Sequence, residues 1–149
     1  MNRQTIAAAC LVFVSVSFTP ASYAACPAKT IFSCTTTKGK FVEVCESQKT
    51  IDYSFGKKGA KPEMALSIPK NAATARYWNG IGRHVNYSVI IPNGKTTYEV
   101  FSSVDKFDEL TEYGIYVDVG GKDVATITCK NNTVTDNIAD VTLRAAPEE

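Results

Sequence analysis

The stretch HVNYSVIIPNGKTTYEVFS, residues 84–102, decides the fold class. Val85, Tyr87, Val89 and Ile91 occupy alternate positions, the period of a strand with one buried face. Pro92-Asn93-Gly94 interrupts the run with turn residues, and alternation resumes from Thr96 to Ser102. Two alternating runs joined by Asn-Gly are a strong signal for an antiparallel hairpin.

The same pattern extends in both directions. Upstream, Thr30–Thr36 and Lys40–Glu46 flank Gly39, Thr50–Phe55 alternates Ile51, Tyr53 and Phe55, and Glu63–Ile68 alternates Met64, Leu66 and Ile68. Downstream, Gly114–Val119 carries Ile115, Val117 and Val119, and Gly120-Gly121 turns the chain into Asp123–Cys129. About eight strands without a long helical pattern predict an all-β domain, a single antiparallel sandwich or small barrel. One segment departs from this period. From Ser102 to Glu112, Asp105, Asp108, Glu109 and Glu112 recur at helical spacing opposite Val104, Phe107 and Leu110. With Ser102 and Asp105 as a capping box, the spacing predicts one short amphipathic helix. In the tail, Val141 and Leu143 suggest a last edge strand.

Residues 1–24 read as a signal peptide: Arg3, an apolar run from Ile6 to Phe18, then Pro20 and the small-residue exit Ser22-Tyr23-Ala24. Cleavage after Ala24 leaves residues 25–149 as a single β domain, periplasmic or secreted. Tyr23-Ala24-Ala25-Cys26 resembles a lipobox, but Tyr23 stands where a branched aliphatic residue is usual, so anchoring through Cys26 is not expected. Of five cysteines, Cys10 leaves with the leader, and Cys26, Cys34, Cys45 and Cys129 make two disulfides in an oxidising compartment. Turn chemistry orders the possible pairings. Gly39-Lys40 at the centre of a type II′ turn places Cys34 opposite Cys45, whereas Lys38-Gly39 as type I′ places it opposite Glu43. The first register predicts Cys34–Cys45 as a surface staple, away from Val42 and Val44, with Cys26–Cys129 tying down the N-terminus. The other two connectivities stay open.

Of 16 basic residues only Arg3 lies in the leader, so the domain carries 15 against 15 acidic ones. Such a balance offers no footprint for nucleic acid or anionic lipid, and no second apolar segment suggests a membrane span. Catalytic patterns are missing. His84 is the only histidine and reads as a turn residue; without a C-x-x-C pair no metal site is expected. S-x-x-K occurs at Ser54–Lys57 and Ser67–Lys70 without its companion motifs. No cofactor is implied.

Two segments remain as candidates. Arg76-Tyr77-Trp78-Asn79-Gly80-Ile81-Gly82-Arg83-His84 holds the only tryptophan, two arginines and two glycines. Arg76, Tyr77, Trp78, Arg83 and His84 have the composition of an interface anchor on a projecting loop; the structural alternative, that Tyr77 and Trp78 cap the core at a sheet end while the arginines are solvated, stands beside it. Asp105, Asp108, Glu109 and Glu112 read first as the solvated face of the helix, all ionised beside Lys106; an electrostatic contact for a basic partner is the second reading and the carboxylates of a hydrolase the third.

Cys34, Gly39-Lys40-Phe41-Val42, Cys45, Tyr53-Ser54-Phe55-Gly56, Pro62-Glu63 and the closing Gly114–Cys129 stretch together resemble a group of small exported bacterial β-proteins of uncharacterised function. The resemblance implies an envelope or secreted β-protein and carries over no catalytic residue. A fainter likeness is to periplasmic lysozyme inhibitors, although their Ser-Gly-x-x-Tyr type loop is not found here. Together these readings give a non-enzymatic exported domain that binds a macromolecular partner, of the inhibitor or immunity type. A small-ligand or glycan binder using Trp78 and Tyr77 as a stacking platform is the first alternative, and a hydrolase the second.

Overall fold

A computed structural model of the chain describes residues 26 and 28–147. The expected leader and its cleavage site lie outside these residues. Two sheets contain all of the strands described. The first has the order β10-β1-β2-β3-β4, from β1 (Lys29–Thr35), β2 (Phe41–Glu46), β3 (Thr50–Gly56), β4 (Met64–Pro69) and the two-residue β10 (Thr135–Asp136). The second has the order β11-β5-β6-β7-β8-β9, from β5 (Thr74–Arg76), β6 (His84–Asn93), β7 (Thr96–Asp105), β8 (Thr111–Val119), β9 (Asp123–Thr128) and β11 (Arg144–Ala145). Pairing is antiparallel except between β11 and β5.

The eight strands read from alternation all form. The additions are short strands with little or no periodicity to read: β5, β10 and β11. The final edge strand is Arg144–Ala145, just beyond the expected Val141 and Leu143, while Val141 is buried in the core. Inner faces of both sheets feed one core. Ile31, Val42, Val44 and Ile51 come from the first sheet, and Val89, Ile91, Val100 and Ile115 from the second. Across it Tyr53 stacks on Tyr98 with ring centroids 5.2 Å apart, and Phe32 meets Tyr113 at 6.4 Å. On the outer face Gly114 lies under the Phe101 ring, which stacks on Tyr116; a Cβ at Gly114 would lie 3.0 Å from that ring and 2.5 Å from the Ile127 carbonyl oxygen.

The Tyr53 hydroxyl is the one buried side-chain polar atom among the described residues without a hydrogen-bond partner. Burial, reinforced by Tyr98, pushes its ionisation far up. An unpaired buried hydroxyl costs about 1–3 kcal/mol. Tyr53→Phe keeps the ring stack and removes that group, so denaturant unfolding should show the variant equal to wild type or more stable by ~1 kcal/mol. A loss above that amount would mean the hydroxyl has a partner.

The expected disulfide pairing is wrong. The bridges are Cys26–Cys45 and Cys34–Cys129, with Cα–Cα distances of 5.6 and 5.9 Å. The cause is the turn. The Gly39 amide donates to the Thr36 carbonyl and the Thr36 side chain accepts the Lys40 amide, with Gly39 at φ 79° after the turn rather than inside it. This is the three-residue hairpin with a glycine bulge, not a two-residue turn. It sets Cys34 opposite Val42 and, beyond a bulge, Thr30 opposite Cys45. Cys34 therefore faces inward with Val42 and Val44, and its bridge joins the two sheets through the core. Cys26–Cys45 clips the segment before β1 onto the outer face of β2. Two disulfides fit an oxidising environment, extracellular or periplasmic.

The expected helix is also absent. Residues 102–105 continue β7, where Ser102, Ser103 and Val104 pair with Tyr113, Glu112 and Thr111 of β8. The only helical turns among the described residues are of the 3-10 type, at Lys70–Ala72, Asn131–Thr133 and Ile138–Asp140. No described helix is long and apolar enough to cross a membrane.

Candidate functional site

The hairpin register brings the two candidate segments together. β6 and β7 pair over ten residue positions, from Asn93 opposite Thr96 to His84 opposite Asp105. The loop that ends at Arg83 and the connection that starts at Asp105 consequently meet at one end of the second sheet. The Lys106 amide donates to the Arg83 carbonyl at 3.1 Å, closing that contact through the backbone.

Asp105 organises this end. Its Oδ1 accepts the amides of Phe107 at 2.9 Å and Asp108 at 3.2 Å, an Asx turn that competes with helix formation. Its Oδ2 accepts Arg83 Nε at 2.6 Å, and the same guanidinium pairs with Asp108. Burial opposes ionisation of Asp105, but the two amides and Arg83 outweigh it and hold the carboxyl below the ordinary carboxylate range. Its folded pKa lies under its unfolded value, so its contribution is complete above the unfolded pKa and disappears as pH falls through the folded one. Thermal melts of wild type and Asp105→Asn should therefore differ most near about pH 7 and converge well below about pH 3.9, the ordinary aspartate value. A gap that stays constant with pH would show that the charge of Asp105 is irrelevant.

Around this charged centre the surface is apolar. Ile81 is 77% exposed, Phe107 76% and Leu110 65%. Arg83 lies over the Phe107 ring at 5.4 Å and Lys106 over the Trp78 ring at 5.0 Å. Trp78 Nε1 donates to the Ile81 carbonyl at 3.1 Å, and the Asn79 side chain accepts the Ile81 amide at 3.0 Å. These bonds, with Gly80 and Gly82 at φ 86° and 96°, fix the loop in its projecting form.

The residues singled out in the sequence thus separate into two groups. Trp78, Arg83, Asp105 and Asp108 belong to this surface, and His84 borders it at the start of β6. Tyr77 and Arg76 are engaged elsewhere. The Tyr77 hydroxyl lies 3.0 Å from the carbonyls of Val141 and Leu143 and accepts the Leu143 amide at 2.9 Å, pinning the C-terminal segment. Arg76 pairs with Glu99 at 3.2 Å, and Ser88 donates to the same carboxylate. The four acidic residues share no helical face. Glu109 sits in the connection at φ 54°, and Glu112 lies on β8 opposite Ser103. Ile81, Phe107 and Leu110 were not recognised as exposed, the last two because a helical stripe would have buried them.

Comparison of the chain with protein families, curated proteins and solved structures gives no match. The ligand atoms of Cys26, Glu43 and Cys45 lie within 4.8 Å of one another, but both sulfurs are spent in a disulfide.

Proposed function

We propose that this chain is an exported, non-enzymatic β-sandwich that binds a protein partner through the end formed by residues 78–83 and 105–110, as an inhibitor or immunity-type protein. The membership of a group of small exported bacterial β-proteins, inferred from its motifs, belongs to the same proposal. One observation carries it: three large apolar side chains stand in solvent around an internally satisfied Arg83–Asp105–Asp108 cluster. Exposed apolar groups rimmed by fixed charges have the anatomy of an interface, with tryptophan and arginine as its usual anchors. The charges give orientation, and the apolar groups supply the area whose burial favours association.

The glycan-platform reading is weaker, since Tyr77 is turned to the C-terminal segment and a lysine covers the Trp78 ring. The hydrolase reading required a helix that does not form. The test is affinity capture from periplasm and culture medium with wild-type protein and with Ile81→Ser/Phe107→Ser as parallel baits. A single stoichiometric protein retained by wild type and lost from the double variant supports the proposal. Equal retention by both baits contradicts it.

A further inference from the structure

A second concavity lies far from these residues in sequence, over the outer face of β2, β3 and β4. It has a volume of about 650 Å³, within the range of small-molecule sites. Phe41, Glu43, Cys45, Asp52, Ser54 and Ser67 line it while Val42 and Val44 do not, which places its floor on the solvent side of the sheet; Tyr53, Phe55 and Leu66, which pack toward the core, border it as well. The Cys26–Cys45 bridge forms one wall, the 57–60 turn another, and the short side chains of Ser54, Ala65 and Ser67 leave the depression between them.

Three features select the chemistry of an occupant. Glu43 is only partly exposed, and its carboxylate has no hydrogen bond or ion pair among the described residues, its backbone being paired in the ladders with β1 and β3. Asp52 beside it holds Thr50 and Ser67 hydroxyls on its two oxygens, while Lys57 and Lys58 stand at the rim, Lys58 over the Phe41 ring at 5.0 Å. Carboxylates on the floor and ammonium groups at the rim offset one another and give the groove no preference for a net charge of either sign. A neutral molecule with both donors and acceptors suits them, and Phe41, Pro62 and Ala65 in the lining favour one that also has a hydrocarbon face. The backbones of β2 and β3 are paired on both sides, and β4, the edge strand of this sheet, has its free ladder along the outer margin, so the central floor offers no ladder to an extended peptide. Recognition must come from side chains.

We infer that this groove is a binding site for a short neutral oligosaccharide, its hydroxyls donating to Glu43 and Asp52 and accepting from the rim lysines, with Phe41 against a sugar face. Strand spacing makes the floor about 10 Å wide and about 13 Å long, room for about two or three rings. This site is separate from the proposed protein-binding end, and the two stand or fall independently.

The test is a titration of isotope-labelled, disulfide-intact protein with cellotriose, maltotriose and triacetylchitotriose, followed by amide NMR shifts. At least one sugar should give saturable shifts at Phe41, Glu43, Asp52, Ser54 and Ser67. Glu43→Ala should weaken that binding at least about fivefold, the scale of one charged hydrogen bond, while Ile81→Ser/Phe107→Ser binds as wild type. Absence of saturation by all three sugars at about 20 mM, far weaker than useful recognition, would overturn the inference. So would binding indifferent to Glu43→Ala, or saturation of the same residues by blocked trialanine with the sugars inert.

Discussion

Replacing Cys34 and Cys129 together by alanine is expected to cost ~4–5 kcal/mol, the largest stability loss of any change discussed here. The bridge spans 95 residues of sequence and lies inside the core, where it ties β1 of the first sheet to the end of β9 in the second. Closing so long a loop removes much entropy from the unfolded chain. Cys26–Cys45 spans only 19 residues and clips an outer segment, so Cys26→Ser/Cys45→Ser should cost ~3 kcal/mol or less. Denaturant unfolding of the two double variants measures the order directly. The first should lose roughly 15 °C of melting temperature in a domain of this size. Access predicts a second asymmetry: mild reductant with stepwise alkylation should label Cys26 and Cys45 before the buried pair. Equal losses, or early labelling of Cys34 and Cys129, would contradict the assigned roles.

The second large effect concerns recognition. With a partner in hand, Trp78→Ala and Arg83→Ala should each weaken binding by ~2 kcal/mol or more, about thirtyfold in Kd. The two differ in what else they disturb. Trp78 holds the loop through the Ile81 carbonyl, so its truncation also loosens the loop's form. Arg83 bonds both Asp105 and Asp108, so its removal leaves the more buried Asp105 short of its cation, and some thermal stability goes with it. Ile81→Ser separates the effects, because that side chain is exposed and its loop bonds are made by the backbone. It should reduce affinity while leaving the melting temperature unchanged. Calorimetry and thermal melts on the three variants check this. A partner that binds Ile81→Ser as tightly as wild type, with Arg83→Ala affected only in proportion to lost stability, would make the loop structural.

Much of the architecture was legible because alternation is a local property, and each of the longer strands carries its own. Pairing was less so, and the failures have definite causes. One turn residue decided the cysteines: Gly39 accepts a left-handed backbone at any of several hairpin positions, and each position sets a different register. The helical spacing of Asp105, Asp108, Glu109 and Glu112 was real as a pattern. It was overridden when Asp105 spent its side chain on the Phe107 and Asp108 amides and the preceding residues paired with β8. Had the Asn93–Thr96 turn been extended outward as a ladder, His84 would have fallen opposite Asp105, and the two candidate segments would have met on paper. The contacts of Tyr77 with Val141 and Leu143 had no such signal, since they join residues more than sixty apart with no periodicity between.

The most direct test of the account is amide hydrogen exchange of the disulfide-intact protein, free and saturated with its captured protein partner. Protection confined to residues 78–83 and 105–110 is the expected result, with the outer face of β2, β3 and β4 exchanging as in the free protein. Protection centred on that outer face, with the Arg83–Asp105 end unchanged, would contradict the assignment of the binding surface.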